Sequence, residues 1–297
     1  MAVTNHSSSH DDDTGNTETL DAMIDKSARE FHGLFEALCN FIELEYSTET
    51  PLLKIAGKSV FDRQTKTLGS SIILGESGNG QLAASFIRQI YEEKVWLKYL
   101  TTVPANLVNK LLKSMALYDA MRGLRAFVEF ADLKETIRFG FPLSFLLQGE
   151  SSLKVAKKDL GELARELGWP KGNKVLPSTD WIAKEVDDYK TYRYLFSASS
   201  RAVHFSVGEI FRNSWFDDDI PLHLGDIRRT HQYVFALDCL IRMIIETYET
   251  AYAIFELPLY SAVSEESVME TIGRFGKIGR IPMVIPEEFN LRENQRR

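Results

Sequence analysis

From residue 21 to about residue 257, apolar side chains recur at three- and four-residue spacing, and strand-length alternations bounded by turn signals do not recur. A chain patterned this way buries helical stripes against one another, so a Rossmann-like or hydrolase-like sheet is disfavoured. Leu34, Leu38, Phe41 and Ile42 mark a first helix near 19–47, and a second is expected near 58–75. A third covers Gln81 to Thr101. Pro104 suits the first turn of a fourth, which carries Leu107, Leu111, Leu112, Met115, Leu117 and Met121. Leu153 to Leu167 is amphipathic, with Lys154, Lys157, Lys158 and Glu162 outward, and Gly168-Trp169-Pro170 ends it. After a loop over 169–178, Ser178, Thr179 and Asp180 offer caps for a helix from Trp181. Long helices are expected over 189–212 and 226–256. Ser264-Glu265-Glu266 opens a short one, and Ile281 to Ile285 reads as a short strand. The expected fold is therefore all-α, a multi-helix bundle with long antiparallel helices. Residues 1–20 read as a disordered acidic tail, 21–258 as the helical domain and 259–297 as a C-terminal extension.

The chain has 297 residues with 18 Gly, 9 Pro and 2 Cys, which excludes collagen-like, low-complexity and disulfide-rich classes. A net charge of -7 argues against a strongly basic nucleic-acid binder, although not against a local basic patch. Asp11, Asp12, Asp13 and Glu18 lie in a tail with no Lys or Arg and too little apolar surface to offset the entropy of ordering. His6 and His10 beside the Asp triplet read as solvated residues rather than a metal site. Asp217, Asp218 and Asp219 near His223 read as a solvated turn rather than a Mg²⁺ site. No metal and no cofactor is expected. Cys39 and Cys239, far apart and outside any C-x-x-C, read as reduced thiols. The N-terminus lacks a signal-peptide pattern, and Asp238 and Arg242 break the apolar run Tyr233–Ile245, so a cytoplasmic protein with no membrane span is expected.

Two motifs fall short. Gly75 and Gly80 have the P-loop gap, but Gln81 and Leu82 stand where Lys and Ser/Thr would reach phosphate and Mg²⁺. Gly75 and Ser77 begin a nucleophile elbow, but Asn79 occupies its last position and no strand precedes it. Gly75, Gly78 and Gly80 are better read as left-handed backbone in a tight turn between antiparallel helices. Late in the chain, Gly273 to Arg280 reads as a connector rather than an RNA contact.

Two polar constellations interrupt apolar helices. Arg88 and Glu92 share a helix face four residues apart, among apolar neighbours that predict a substantially buried pair, with Tyr99 continuing that side. Further on, Arg193, Ser197, Ser200, Arg201 and His204 fall within about a 100° stripe of one helix, with Tyr189 at its edge and Tyr192 beyond. A histidine flanked by hydroxyls and an arginine can be held at both ring nitrogens, or can serve as a general base near an anion-stabilising guanidinium. Arg228-Arg229-Thr230-His231 adds a small basic patch.

The pairing of R-x3-E (Arg88, Glu92) with Y-x7-S-x3-H (Tyr192, Ser200, His204), and the Trp169-Pro170 loop before Trp181, resembles a bacterial family of uncharacterised helical domains, over roughly residues 21–215. The resemblance implies an all-α bundle in which the two motif helices pack together. Some such bundles are similar to HEPN domains, often metal-independent ribonucleases of toxin and phage-defence systems. Their signature places Arg four to six residues before His, and Arg201-x2-His204 and Arg193-x10-His204 depart from it. The favoured reading makes Arg88, Glu92, Tyr192, Ser200 and His204 a mainly structural network in a protein that acts by binding RNA or a protein partner. The alternative is a HEPN-like ribonuclease, with His204 as base or acid, Arg201 or Arg193 on phosphate and Glu92 orienting a partner. A homodimer is the prior for a helical bundle with exposed aromatics.

Overall fold

The computed structural model describes residues 19–42, 51–170, 175–203, 223–255 and 265–284. Among these residues there are nine α-helices, one 3₁₀ segment and no strand. The helices are α1 (Leu20–Phe41), α2 (Leu52–Glu76), α3 (Phe86–Thr102), α4 (Ala105–Arg138), α5 (Leu143–Glu166), α6 (Thr179–Glu185), α7 (Tyr189–Val203), α8 (His223–Phe255) and α9 (Glu265–Gly276). The expected all-α bundle is what the chain forms.

Helix α8 fills the centre. From Val234 to Ile244 all its side chains but that of Arg242 are buried, and a helix apolar nearly all round has to be surrounded. Helices α1, α2 and α3 and the 3₁₀ segment pack around it. Phe31, Phe35, Phe61 and Tyr248 join α1, α2 and α8 through ring contacts of 5.4 to 6.4 Å. Helix α9 docks on α1, where Phe275 meets Phe31 edge-on at 5.4 Å. Helices α4 and α5 form an antiparallel hairpin that touches α2 near its base and otherwise packs chiefly on itself.

Three local expectations need correction. The helix expected from Gln81 begins as a 3₁₀ segment, Gly80–Ser85, and becomes α-helical only at Phe86. Of the three turn glycines only Gly78 has positive φ, at 77°. Gly75 and Gly80 instead leave room for the Tyr233 ring: a Cβ would lie 2.3 Å from that ring at Gly75 and 2.6 Å at Gly80. Residues 281–284 form no strand. Asp238, which is buried, accepts a hydrogen bond from the Ile281 amide at 3.4 Å, while Arg242 donates to Asp238 Oδ1 at 2.8 Å and to the Ile278 carbonyl at 3.1 Å. His231 Nε2 lies 2.6 Å from the Pro282 carbonyl, so this histidine of the basic patch holds the same segment down.

The helix punctuation matches the sequence reading more closely. Thr19 caps α1, its hydroxyl accepting from the Ala22 amide. Ser178 caps α6 by accepting from the Trp181 amide at 3.3 Å. Helix α5 ends at a left-handed Gly168, φ 69°, with the Trp169 amide donating back to the Ala164 carbonyl.

Candidate functional site: a cationic, aromatic-walled cleft

Helices α3 and α7 pack against each other, as the motif resemblance implies. The Arg88–Glu92 pair forms, with Nε donating to Oε1 at 3.1 Å, but it is not sealed: the two side chains are 32% and 37% exposed. Among the described side chains of α7, Phe196 meets Arg88. The guanidinium lies 4.2 Å from the centroid of the Phe196 ring, a contact attractive by charge and quadrupole. Tyr192 packs 4.6 Å from Phe196 and 6.1 Å from Tyr91 of α3, and Tyr189 stacks on Tyr192 at 5.9 Å. Arg193 does not enter this contact; it is exposed, because α7 turns Leu195 and Ser199 into the core. The side chains of Ser197, Ser200 and Arg201, and all of His204, lie outside the described residues, as do residues 204–222.

Beside Arg88 opens a cleft of about 700 Å³. Its cations come one from each of three helices: Arg88 from α3, Arg122 from α4 and Lys157 from α5. Tyr118, Tyr192 and Phe196 supply rings, and the segment from Val175 to Asp180 closes one side with backbone and hydroxyl groups. Among the described residues Asp180 is the single acid of the lining, and Lys184 pairs with it at 2.7 Å. Arg122 sits 5.8 Å from the Tyr118 ring and 3.5 Å from Asp119. Partial burial, with the Asp180 charge second, raises the Tyr192 phenol above its usual range and keeps it a proton donor. No sequence motif announces this cleft. Lys157 reads as part of an outward face, and nothing in the local spacing ties it to Arg122 or Arg88.

Behind the cleft lies a network that the sequence reading also missed. Lys94, two residues past Glu92 and so on a different side of α3, is 1% exposed. Its ammonium donates to Glu246 of α8 at 2.6 Å and lies 2.7 Å from Asp188 Oδ2, in ion-pair contact outside hydrogen-bond alignment. Tyr91 donates to the Asp188 carbonyl at 3.1 Å. Burial, then the Asp188 charge, pushes the Tyr91 phenol far up. Asp187, left-handed at φ 55°, and Asp188 form the turn from which α7 departs, so Lys94 and Tyr91 fix where Tyr192 and Phe196 begin. Next to it, Glu93 receives Arg63 at 2.8 Å, Gln89 at 2.9 Å and the buried Gln64 at 3.4 Å. Trp169 donates its indole N–H to the Tyr99 hydroxyl at 2.7 Å, and Trp181 meets the Tyr99 ring edge-on at 5.7 Å, so both tryptophans are held on α3.

Among the described residues, no group of three or more His, Cys, Asp or Glu side chains is placed to hold a metal ion, and no helix is long and apolar enough to cross a membrane. Cys39 and Cys239 are buried free thiols; desolvation pushes Cys39 up to about 11 and Cys239 further still. No curated protein and no solved structure matches the chain. The model of a protein family of unknown function matches residues 55–221, a span that contains every described residue lining the cleft. With more than half of its length matched, the chain belongs to that family, DUF5677.

Proposed function

We propose that this chain is a binding protein for phosphate-bearing, single-stranded nucleic acid, with RNA as the first ligand to test. One observation carries the reading: Arg88, Arg122 and Lys157 line one cleft whose walls also hold Tyr118, Tyr192 and Phe196. Cations that neutralise phosphate, beside rings on which an unpaired base stacks, are the two elements of single-strand recognition. The net charge of -7 fits a local site better than a whole-surface binder. Three cations imply about three phosphate contacts, so log K should fall with log salt at a slope of roughly -2. Loss of one stacking ring should cost about 1–3 kcal/mol.

Fluorescence anisotropy with a short labelled RNA tests this across a salt series. Arg122→Glu with Lys157→Glu is expected to abolish the salt-dependent binding, and Tyr192→Ala to weaken it about fivefold or more. Binding by the double variant with wild-type affinity refutes the reading. A second reading, metal-independent RNA cleavage, draws support from α7, whose Tyr192 and Phe196 wall the cleft and whose chain continues into His204. In it Arg201 or Arg193 holds phosphate and Glu92 orients a partner. The same RNA incubated without metal separates the two: cleavage by wild type but not by a folded His204→Ala variant favours the ribonuclease.

A further inference from the structure

We infer that the outer end of the α4–α5 hairpin is a docking face for a second copy of this chain. Beyond Met121, Thr136 is the only buried residue of α4 among the described side chains, so the outer half of the hairpin has no third layer over it. What it exposes is apolar. Phe130 is 90% and Phe139 67% exposed, and Leu133, Ile137 and Leu143 are exposed beside them. Five large exposed apolar side chains within 14 residues of one hairpin tip are uncommon on a monomer and mark an interaction site.

The patch is preformed. Phe127 packs against Phe139 at 6.1 Å and Phe141 at 6.0 Å, which ties the tip of α4 to the start of α5. Asp132 breaks α4 with φ 60°, and its carboxylate accepts from the Glu135 amide at 3.0 Å, capping the final turns that carry Leu133 and Ile137.

Charge selects the occupant. Between Asp119 and Arg138 the sequence holds four acids and four bases. Arg125 pairs with Glu129 at 2.7 Å and Arg138 with Glu135 at 3.4 Å. A neutral face with both signs interspersed suits an identical, antiparallel copy of itself, in which each cation can meet the other copy's acid. It offers little to a polyanion or to an anionic lipid surface. Two hairpins joined this way make a four-helix arrangement, the usual means by which a helical hairpin covers both its apolar faces. This inference does not depend on the cleft binding anything.

Light scattering on a gel-filtration column, run as a dilution series of the full chain, tests it. Wild type is expected at twice the chain mass at high concentration. Phe130→Asp with Phe139→Asp should elute at one chain mass with unchanged helical circular dichroism, because both side chains are exposed. Met269→Asp, an exposed apolar residue on α9, should leave the dimer intact. A single chain mass for wild type at every concentration overturns the inference. So does a dimer that survives the double Phe variant. Flotation of monomeric wild type, but not of the double variant, with phosphatidylcholine–phosphatidylglycerol vesicles would overturn it in favour of a lipid face.

Discussion

Replacing Lys94 by methionine keeps an unbranched apolar stem, one atom shorter, and removes the charge. The two carboxylates around it lose their cation unequally. The Glu246 side chain is 43% exposed, so water takes over that partner, and its arm contributes about 0–1 kcal/mol. The Asp188 side chain is only 12% exposed, and the Lys94 side chain beside it 1%. Breaking a pair buried to that degree strands a charge, at about 3–5 kcal/mol. The Tyr91 ring, 5.2 Å from the ammonium, adds a further ~0.5–1 kcal/mol of cation–π attraction. Lys94→Met should therefore destabilise by about 3 kcal/mol or more in urea unfolding followed by circular dichroism. Adding Asp188→Asn should restore most of the loss, since a neutral partner no longer has to be solvated. A double-mutant cycle should then give a Lys94–Asp188 coupling of about 2–3 kcal/mol and a Lys94–Glu246 coupling below about 1 kcal/mol. A Lys94→Met variant within about 0.5 kcal/mol of wild type would refute the argument. So would a larger coupling to Glu246 than to Asp188, because exposure would then not be what decides the energy.

Two further perturbations probe packing and titration. Gly75→Ala should cost about 1–3 kcal/mol by driving a methyl into the Tyr233 ring, and should become nearly neutral in a Tyr233→Ala background; an equal cost in both backgrounds would rule out the ring as the cause. Burial raises the Asp238 carboxyl above its ordinary value despite Arg242, so between the unfolded and folded values the native state binds more protons, and this group's contribution is full at low pH and is lost as pH rises. Asp238→Asn removes that slope: stability curves should show wild type losing ground to the variant as pH climbs through the carboxylate range, and the opposite trend would refute the assignment.

Much of the bundle is legible in the chain because helices announce themselves locally. Ser178, Gly168 and Pro104 sit where caps and stops are required, and the run Tyr233–Ile245 is apolar enough to demand a central position. The interruptions in that run, Asp238 and Arg242, argue in the sequence only against a membrane span. In the fold they pin the 278–281 backbone, a role that no spacing within α8 reveals. The site was half visible. Arg88 and Glu92 betray themselves at i, i+4, but the adjacent Glu93 and Lys94 point elsewhere on the helix, and Lys94 finds its partners far along the chain at Asp188 and Glu246. The polar stripe headed by Arg193 looked like the face that would meet α3. Of that stripe only Arg193 has a described side chain, and it is exposed; Tyr192 and Phe196, beside the stripe, supply the described contacts to Tyr91 and Arg88.

The division of labour along the chain follows from where the core lies. The family span 55–221 carries every described residue of the cleft, but α8, which α1, α2 and α3 surround, lies beyond it. Ile87 and Ile90 of α3 are fully buried in the core cluster that Leu237, Leu240, Ile241 and Ile244 of α8 complete. The same helix supplies Glu246 to Lys94, and so reaches the turn that launches α7. The walls of the cleft are thus set by contacts from outside the span that contains its lining. A substitution on the inner face of α8 should therefore be felt at Tyr192 and Phe196 through the displacement of α3, without any residue of the cleft being changed.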